Sequence, residues 1–499
     1  MNNDLVTKLL AADCGYSPIV VKDTCRCDNG GVLSISDDSL FRKLPGASDI
    51  NIAAFVLAAG ASSRYINPLT KLRKSLRSGD VEQIRSAWDR IKEESNGQWA
   101  LPVELRDLDD FLAGKKDIEQ DRDFFSSILA CLEVPKALYP CVLDRHSYLA
   151  VKAMEHESFK DIDLQIFACP PGFKESFRKE VEPLKCNLET SCIEQGESMS
   201  TIRFDLNGKP LIDRTSNTYS KVPGGHGSLV QTFPEIKKNF PDVDALFIRN
   251  IDNVCGTSRS VIEATQGFFS VFRGILAGIK GIRTSLKDGN FDGALQAVEG
   301  LYNVLTVNSS YKDRSDLSAL TGNGKPESLL WRLLVDFFHI PFSAKQRFSN
   351  DELLDFYTRP FNLVGLVKNS GYDAGGTPVF ASFDDTRIKI CLETSHASEF
   401  EREMYLSNPM VATHFNPGFV IAELQEEATN YFQEQESFGL LARKKWNGLD
   451  VCYVETALYE LLGNSKMANV LFLEISRDIF NPHKTLNDTK GRRLEDWLS

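Results

Sequence analysis

Three short stretches of this 499-residue chain combine residue types that can hold phosphate or a hard cation. The first is Leu57-Ala58-Ala59-Gly60-Ala61-Ser62-Ser63-Arg64-Tyr65. Small side chains let backbone N–H groups approach phosphate oxygens, and the closing arginine offers a forked cationic donor to the same oxygens. It is not a Walker loop, since GxxxxGK[ST] is absent, and the second glycine of GxGxxG is missing. Standing alone, such a stretch is more often a tight strand-to-helix turn. The second stretch, Val222-Pro223-Gly224-Gly225-His226-Gly227-Ser228-Leu229, is a glycine-rich turn whose main chain could lie against a ligand. The third, Ile248-Arg249-Asn250-Ile251-Asp252-Asn253, closes an apolar run, where open α/β sheets place their ligand sites. One aspartate there suffices for a cation such as magnesium, which keeps several waters and completes its shell with substrate phosphates.

Elements of α/β type are needed to position these stretches. Residues 52–60, IAAFVLAAG, form an apolar run ending in glycine, the pattern of a strand buried on both faces of a parallel sheet. Similar runs recur at 164–169 and 245–251, with helical patterns such as SYLAVKAMEH and PGFKESFRKEVEPL between them. The alternation predicts a three-layer α/β/α sandwich. Between Tyr65 and Pro135 a charged stretch carries apolar residues at helical spacing and reads as a helical insertion over about 66–134. A second helical block covers about 261–338, and beyond Phe361 short strand patterns return. The expected division is an N-terminal extension (1–50), a catalytic domain carrying the insertion (51–360) and a C-terminal α+β region (361–499).

Hydrophobic residues at 42% and charged residues at 25% match a soluble globular protein, and no apolar run is long enough to cross a bilayer. A formal charge of -12 disfavours nucleic acid as a general partner. The N-terminal residues lack a basic start followed by an apolar stretch, so the cytoplasm is the expected location. The 11 cysteines include no CxxC pair, which suggests neither a disulfide framework nor a zinc knuckle.

The order of these stretches resembles the nucleotide-sugar pyrophosphorylases, whose signature is L-x-x-G-x-x-[ST]-R with a downstream Pro-Lys, then a Gly-His-Gly element and N-x-D-N. The resemblance makes Leu57, Ala58, Ala59, Gly60, Ala61 and Ser62 a nucleotide loop, Arg64 and Lys136 (in VPKALYP) phosphate-binding cations, and Asp252 the magnesium ligand. It places Gln195, Gly224, Gly225, His226 and Gly227 against the nucleotide and Asn253 near the sugar. In common members only a short loop separates the signature from Pro-Lys, so Lys71 and Lys74 compete with Lys136; their KLRK context reads as a solvated helix face. Further on, Val367-Lys368 and Ile390-Cys391-Leu392-Glu393 resemble the lysine and glutamate-bearing strand flanking the sugar site of UDP-N-acetylhexosamine pyrophosphorylases. Residues 480–485, FNPHKT, resemble their F-x-P-x-K-N, whose lysine would be Lys484. Over about 51–488 the chain is similar to an uncharacterised bacterial domain-of-unknown-function family allied to these enzymes, which shares PGGHG, RPxxxxGxVKN, WNG and FNPxKTxND.

The resemblance implies a nucleotidyltransferase that uses magnesium to join a nucleoside triphosphate, UTP favoured, to a sugar 1-phosphate. Two other readings compete. A glycosyltransferase using a nucleotide sugar needs D-x-D at a strand end, which N-I-D-N does not supply. A non-catalytic nucleotide-binding or interaction protein could keep the same scaffold.

Overall fold

The computed structural model describes residues 19–60, 65–115, 122–184, 186–196, 199–213, 216–223, 227–310, 328–340, 350–371, 375–383, 386–394, 397–425, 440–446, 449–455 and 468–497. It is a mixed α/β protein with many helices, dividing into two compact units built from interleaved stretches. One unit takes its described residues from 19–53, 196–248 and 264–477, the other from 54–195, 249–263 and 478–497.

The second unit contains the end of the strand Ile52–Leu57, buried throughout, followed in sheet order by Ile162–Cys169 and Glu189–Glu194. The last two pair in parallel, from Leu164 opposite Glu189 to Cys169 opposite Glu194. Parallel pairing needs a crossover, and the helix Lys174–Val181 supplies it.

Helices dominate the stretch between the first two strands: Asn67–Ser78, Val81–Ser95, Asp107–Leu112 and Arg122–Leu132. Local chemistry sets their ends. Asp80 accepts a hydrogen bond from the Gln83 N–H to cap Val81–Ser95, while Gly79, at φ 71°, closes the preceding helix with its N–H on the Ser75 and Leu76 carbonyls. Ile84, Trp88, Ile91 and Ser95 recur on the buried stripe of Val81–Ser95. They join one core with Val56 and Phe167 of the sheet and with Leu486 and Trp497 from the end of the chain.

The first unit carries a mixed sheet. The strand Phe361–Lys368 pairs parallel with Asn469–Glu474 and antiparallel with Phe419–Glu423 and His414–Phe415. The strand Ala245–Asn250 follows Phe419–Glu423 in sheet order. A separate antiparallel sheet joins Ile19–Thr24, Thr377–Phe383 and Thr386–Leu392. Phe291–Asn308 and most of Arg259–Lys287 are its long helices. Among the described residues, no helix is long and apolar enough to cross a membrane, and every cysteine is free.

The core of the second unit should respond to truncation as a tightly packed interior does. Phe167→Ala, at a fully buried ring, is expected to lower the unfolding free energy by about 3–5 kcal/mol. Val307→Ala, on an exposed helix face, should change it by less than about 0.5 kcal/mol in the same urea titration.

Candidate active site

The strand Ile52–Leu57 delivers the small-residue turn. Leu57 and Ala58 are buried, the Ala58 N–H donates to the Ala168 carbonyl at 3.1 Å, and the chain then emerges through half-buried Ala59 to exposed Gly60. A Cβ at Gly60 would meet nothing within 4 Å, so packing does not demand glycine there. Ala61, Ser62 and Arg64 lie outside the described residues, as do Gly224, Gly225 and His226. Gly227 opens the short 3-10 helix Gly227–Thr232. Gln195 is buried just past the strand Glu189–Glu194, its N–H donating to the Cys169 carbonyl at 2.8 Å.

Lys136 occupies a different environment from its two rivals. It begins the 3-10 turn Lys136–Leu138 and is only 2% exposed, whereas Lys71 and Lys74 lie on the exposed face of Asn67–Ser78. The Lys136 ammonium sits 4.6 Å from the ring centre of Tyr65 and 4.8 Å from that of Tyr148, and donates to the His483 carbonyl. Those walls explain its chemistry. Burial pulls the Lys136 pKa down to about 8, the Asp252 carboxylate opposing that shift and the Lys484 ammonium adding to it. Lys484 reaches Asp252 directly, Nζ to Oδ2 at 2.9 Å. Lys136, Asp252 and Lys484, widely separated in sequence, thus share one corner of this unit.

Loop-to-loop bonding holds that corner. The backbone pairs across Val254 N–H to Asn481 carbonyl at 3.0 Å and His483 N–H to Asp252 carbonyl at 2.7 Å. The buried Asn253 side chain bridges the same two loops, accepting from the Asn481 N–H at 2.8 Å and donating to the Ile479 carbonyl at 3.0 Å. Below it, Glu155 of the helix Tyr148–Glu157 accepts from the Cys255 and Gly256 N–H groups at 2.6 and 2.8 Å and from the Lys152 ammonium at 2.7 Å. The Arg249 guanidinium lies 3.7 Å from Glu155 and donates to the Asn253 carbonyl at 3.3 Å. His483 is held neutral, its pKa pulled down to about 3 by burial and then by the charges of Arg492, Lys136 and Lys152. Its Nδ1 lies 3.1 Å from the Tyr148 hydroxyl.

Sequence reasoning passed over Tyr65, Tyr148, Lys152, Glu155, Arg249 and His483. A usable signal existed for two of them: Lys152 and Glu155 stand three apart in SYLAVKAMEH, an otherwise apolar helical pattern in which an unpaired charge would be costly.

Lys368 and Glu393 belong to the other unit. Lys368 ends the strand Phe361–Lys368, is 73% exposed, and lies 3.6 Å from Glu474. Glu393 is exposed, one residue beyond Thr386–Leu392.

As a cation ligand Asp252 offers a single half-buried carboxylate, and it belongs to no cluster of three metal-ligating side chains among the described residues. Any ion there would have to be held mainly by waters and substrate phosphates, because Lys484 already occupies one carboxylate oxygen.

A strand-end carboxylate flanked by two lysines, one of them dry, defines an anion-receptive corner. The model of the family described as domain of unknown function (DUF4301) matches residues 171–288 and 330–491, more than half of the chain, and the chain belongs to that family. The matched residues include Asp252, Lys368 and Lys484 but begin after Lys136. No curated protein matches the chain. Among solved structures it is similar to the UDP-glucose phosphorylase of Trypanosoma brucei, at 13% identity over 71% of this chain, with a TM-score of 0.41. The match spans 61% of that protein's length, and at this level it says nothing of activity.

The buried network makes a prediction about stability. Glu155→Ala leaves Lys152 and Arg249, both almost wholly buried, without their carboxylate, and is expected to cost about 3–5 kcal/mol in urea unfolding. Glu263→Ala, which removes the exposed partner of Arg259, should cost at most about 1 kcal/mol.

Proposed function

We propose that this chain is a nucleotidyltransferase that joins a nucleoside triphosphate, UTP favoured, to a sugar 1-phosphate and releases pyrophosphate. The observation that carries the reading is the meeting of Lys136, Asp252 and Lys484 in one corner, two lysines that the motif resemblance assigns to phosphates and the aspartate it assigns to magnesium. The reading brings with it a three-layer sheet of the nucleotide-diphospho-sugar transferase type and a cytoplasmic setting, in keeping with the free cysteines.

The chemistry asks for positioning and charge rather than a base. The sugar phosphate oxygen is already ionised at neutral pH, so it attacks the α-phosphorus directly; the bond from that phosphorus to the bridging oxygen breaks, and pyrophosphate leaves with the electron pair. Lys136, walled by two tyrosines, presents its charge in a dry setting where an ammonium stabilises developing phosphate charge more than it would in water. Lys484 turns from Asp252 toward the phosphates, and Asp252 is then free for magnesium, which supplies further charge neutralisation when bound. Asn253 acts as a positioning residue, since its side chain already bonds the two loops that present Asp252 and Lys484. Roles for Arg64, Lys368, Glu393, Gln195 and the Gly224–His226 turn rest on the motif resemblance.

Screening nucleoside triphosphates against sugar 1-phosphates for magnesium-dependent pyrophosphate release tests the reading, and no release from any pair would refute it. With an active pair, Asp252→Ala should abolish turnover at limiting magnesium while the circular dichroism spectrum is unchanged. Lys136→Ala should lower kcat by about a hundredfold or more, whereas Lys71→Ala with Lys74→Ala should change it less than about threefold. Crippling by the double change would move the phosphate lysine to that helix.

The lowered pKa of Lys136 gives a signed pH effect. Its ammonium is present below about pH 8 and lost above, so kcat/KM should fall as pH rises through that value. Lys136→Gln should show a lower kcat/KM with no such fall; an unaltered profile would remove Lys136 from the phosphate site.

A further inference from the structure

The unit that carries Lys368 holds a second group of side chains with no part in the proposed chemistry. Cys27, His414 and Glu474 place one ligand atom each within 4.8 Å of one another. They come from three separate stretches: the segment after the strand Ile19–Thr24, the strand His414–Phe415, and the last residue of Asn469–Glu474. The sheet aligns two of them at one end, because Glu474 registers with Leu366 and His414 with Lys368 on the shared strand Phe361–Lys368.

The Cys27 segment is fixed against the strand Asn469–Glu474. Leu33 donates from its N–H to the Phe472 carbonyl at 2.8 Å, and the Glu474 N–H returns a bond to the Leu33 carbonyl at 2.7 Å. Asn29 pins the turn by accepting from the N–H groups of Arg26 and Gly31 at 2.9 and 3.1 Å. A Cβ at Gly31 would stand 2.8 Å from the Cys25 Cα, so the turn can close only with glycine there.

We propose that Cys27, His414 and Glu474 form a binding site for a zinc-type divalent ion, with a fourth position left to water or a small ligand. One thiolate, one imidazole and one carboxylate are a donor set that suits a borderline ion such as zinc and ill suits magnesium or calcium. The spacing is close to what the ion requires. Around tetrahedral zinc, N, O and S ligands stand about 3.3–3.6 Å apart. Here Cys27 Sγ lies 3.8 Å and His414 Nε2 2.8 Å from the same Glu474 oxygen, and no two of the three atoms stand more than 4.8 Å apart, so an ion asks the His414–Glu474 pair to part by about half an ångström.

The outer contacts suit it too. His414 Nδ1 lies 2.8 Å from the Thr413 hydroxyl, an arrangement that leaves Nε2 to face the metal, as ligating histidines usually need. Ser34 lies 3.5 Å from the other Glu474 oxygen. As the sulfur–zinc bond forms, the Cys27 thiol gives its proton to solvent. Thiolate, carboxylate and a divalent ion then sum to neutrality, so the exposed Lys368 loses its electrostatic reason to stay beside Glu474 and swings away. The site shares only the Lys368 contact with the phosphate chemistry proposed above, and because its test reads metal binding rather than pyrophosphate release, either can fail alone.

The test uses the full chain, stripped with a chelator and titrated with Co2+ as a spectroscopic substitute for zinc, with bound zinc measured separately after dialysis. One equivalent should bind with a near-ultraviolet thiolate-to-cobalt charge-transfer band. Cys27→Ser should abolish the band and Glu474→Gln should weaken zinc binding by at least the roughly hundredfold that loss of an outer-shell partner can already cost. Circular dichroism should be unchanged in both, and if one variant does not fold the other decides. Absence of the band in the wild type, or the same band and affinity in Cys27→Ser, would overturn the site, the latter by showing that other thiols bind the ion.

Discussion

The Glu155 carboxylate is the constraint on which the candidate active site depends. It sits on a helix that is buried nearly all round, and it accepts hydrogen bonds from one side chain and two main-chain N–H groups of the loop beyond Asp252. An anion so deep in the protein is tolerable only because Lys152 and Arg249 stand beside it. The effect is to fix a loop that would otherwise be free at the end of a strand. That loop fixes the next: with residues 253–256 anchored, Asn253 and Val254 hold 479–481, and Lys484 follows three residues later. The geometry of the two charges at the surface is thus set by a charge network beneath them.

The layering also sorts the cations by role. Lys152 has a carboxylate and a carbonyl as partners and is held in place. Among the described residues Lys136 has aromatic faces and one carbonyl, enough to locate it and too little to satisfy three donors. Lys484 is half-exposed and paired by a contact that a phosphate or a cation on Asp252 can exchange. Both ammonium groups are buried, so it is the partners, not the burial, that separate the structural Lys152 from Lys136.

Much of the secondary structure was legible because periodicity is a local property. IAAFVLAAG marked the strand Ile52–Leu57, and apolar spacing within the charged 66–134 stretch marked its helices. Asp252 and Lys484 stood out by motif, and their separation of 232 residues shows why spacing could never have paired them. What the sequence hid was pairing at a distance. The apolar setting of Lys152 and Glu155 hinted at a buried pair but not at the loop the carboxylate holds, and Tyr65 and Tyr148 look like ordinary core rings until Lys136 is found over them. Nor does a local pattern show that the compact units interleave, with residues 478–497 packed into a core begun at residue 54.

That interleaving governs the order in which the molecule can be made. Synthesis releases the chain from one end at about 5–20 residues per second, and the second unit has its sheet and most of its helices long before it has Leu486 or Trp497. During that interval the apolar side chains that Leu486 and Trp497 join stay uncovered, and Lys136 lacks the His483 carbonyl. The corner comes into being only when residues 483–484 bring Lys484 to Asp252 and the His483 carbonyl to Lys136.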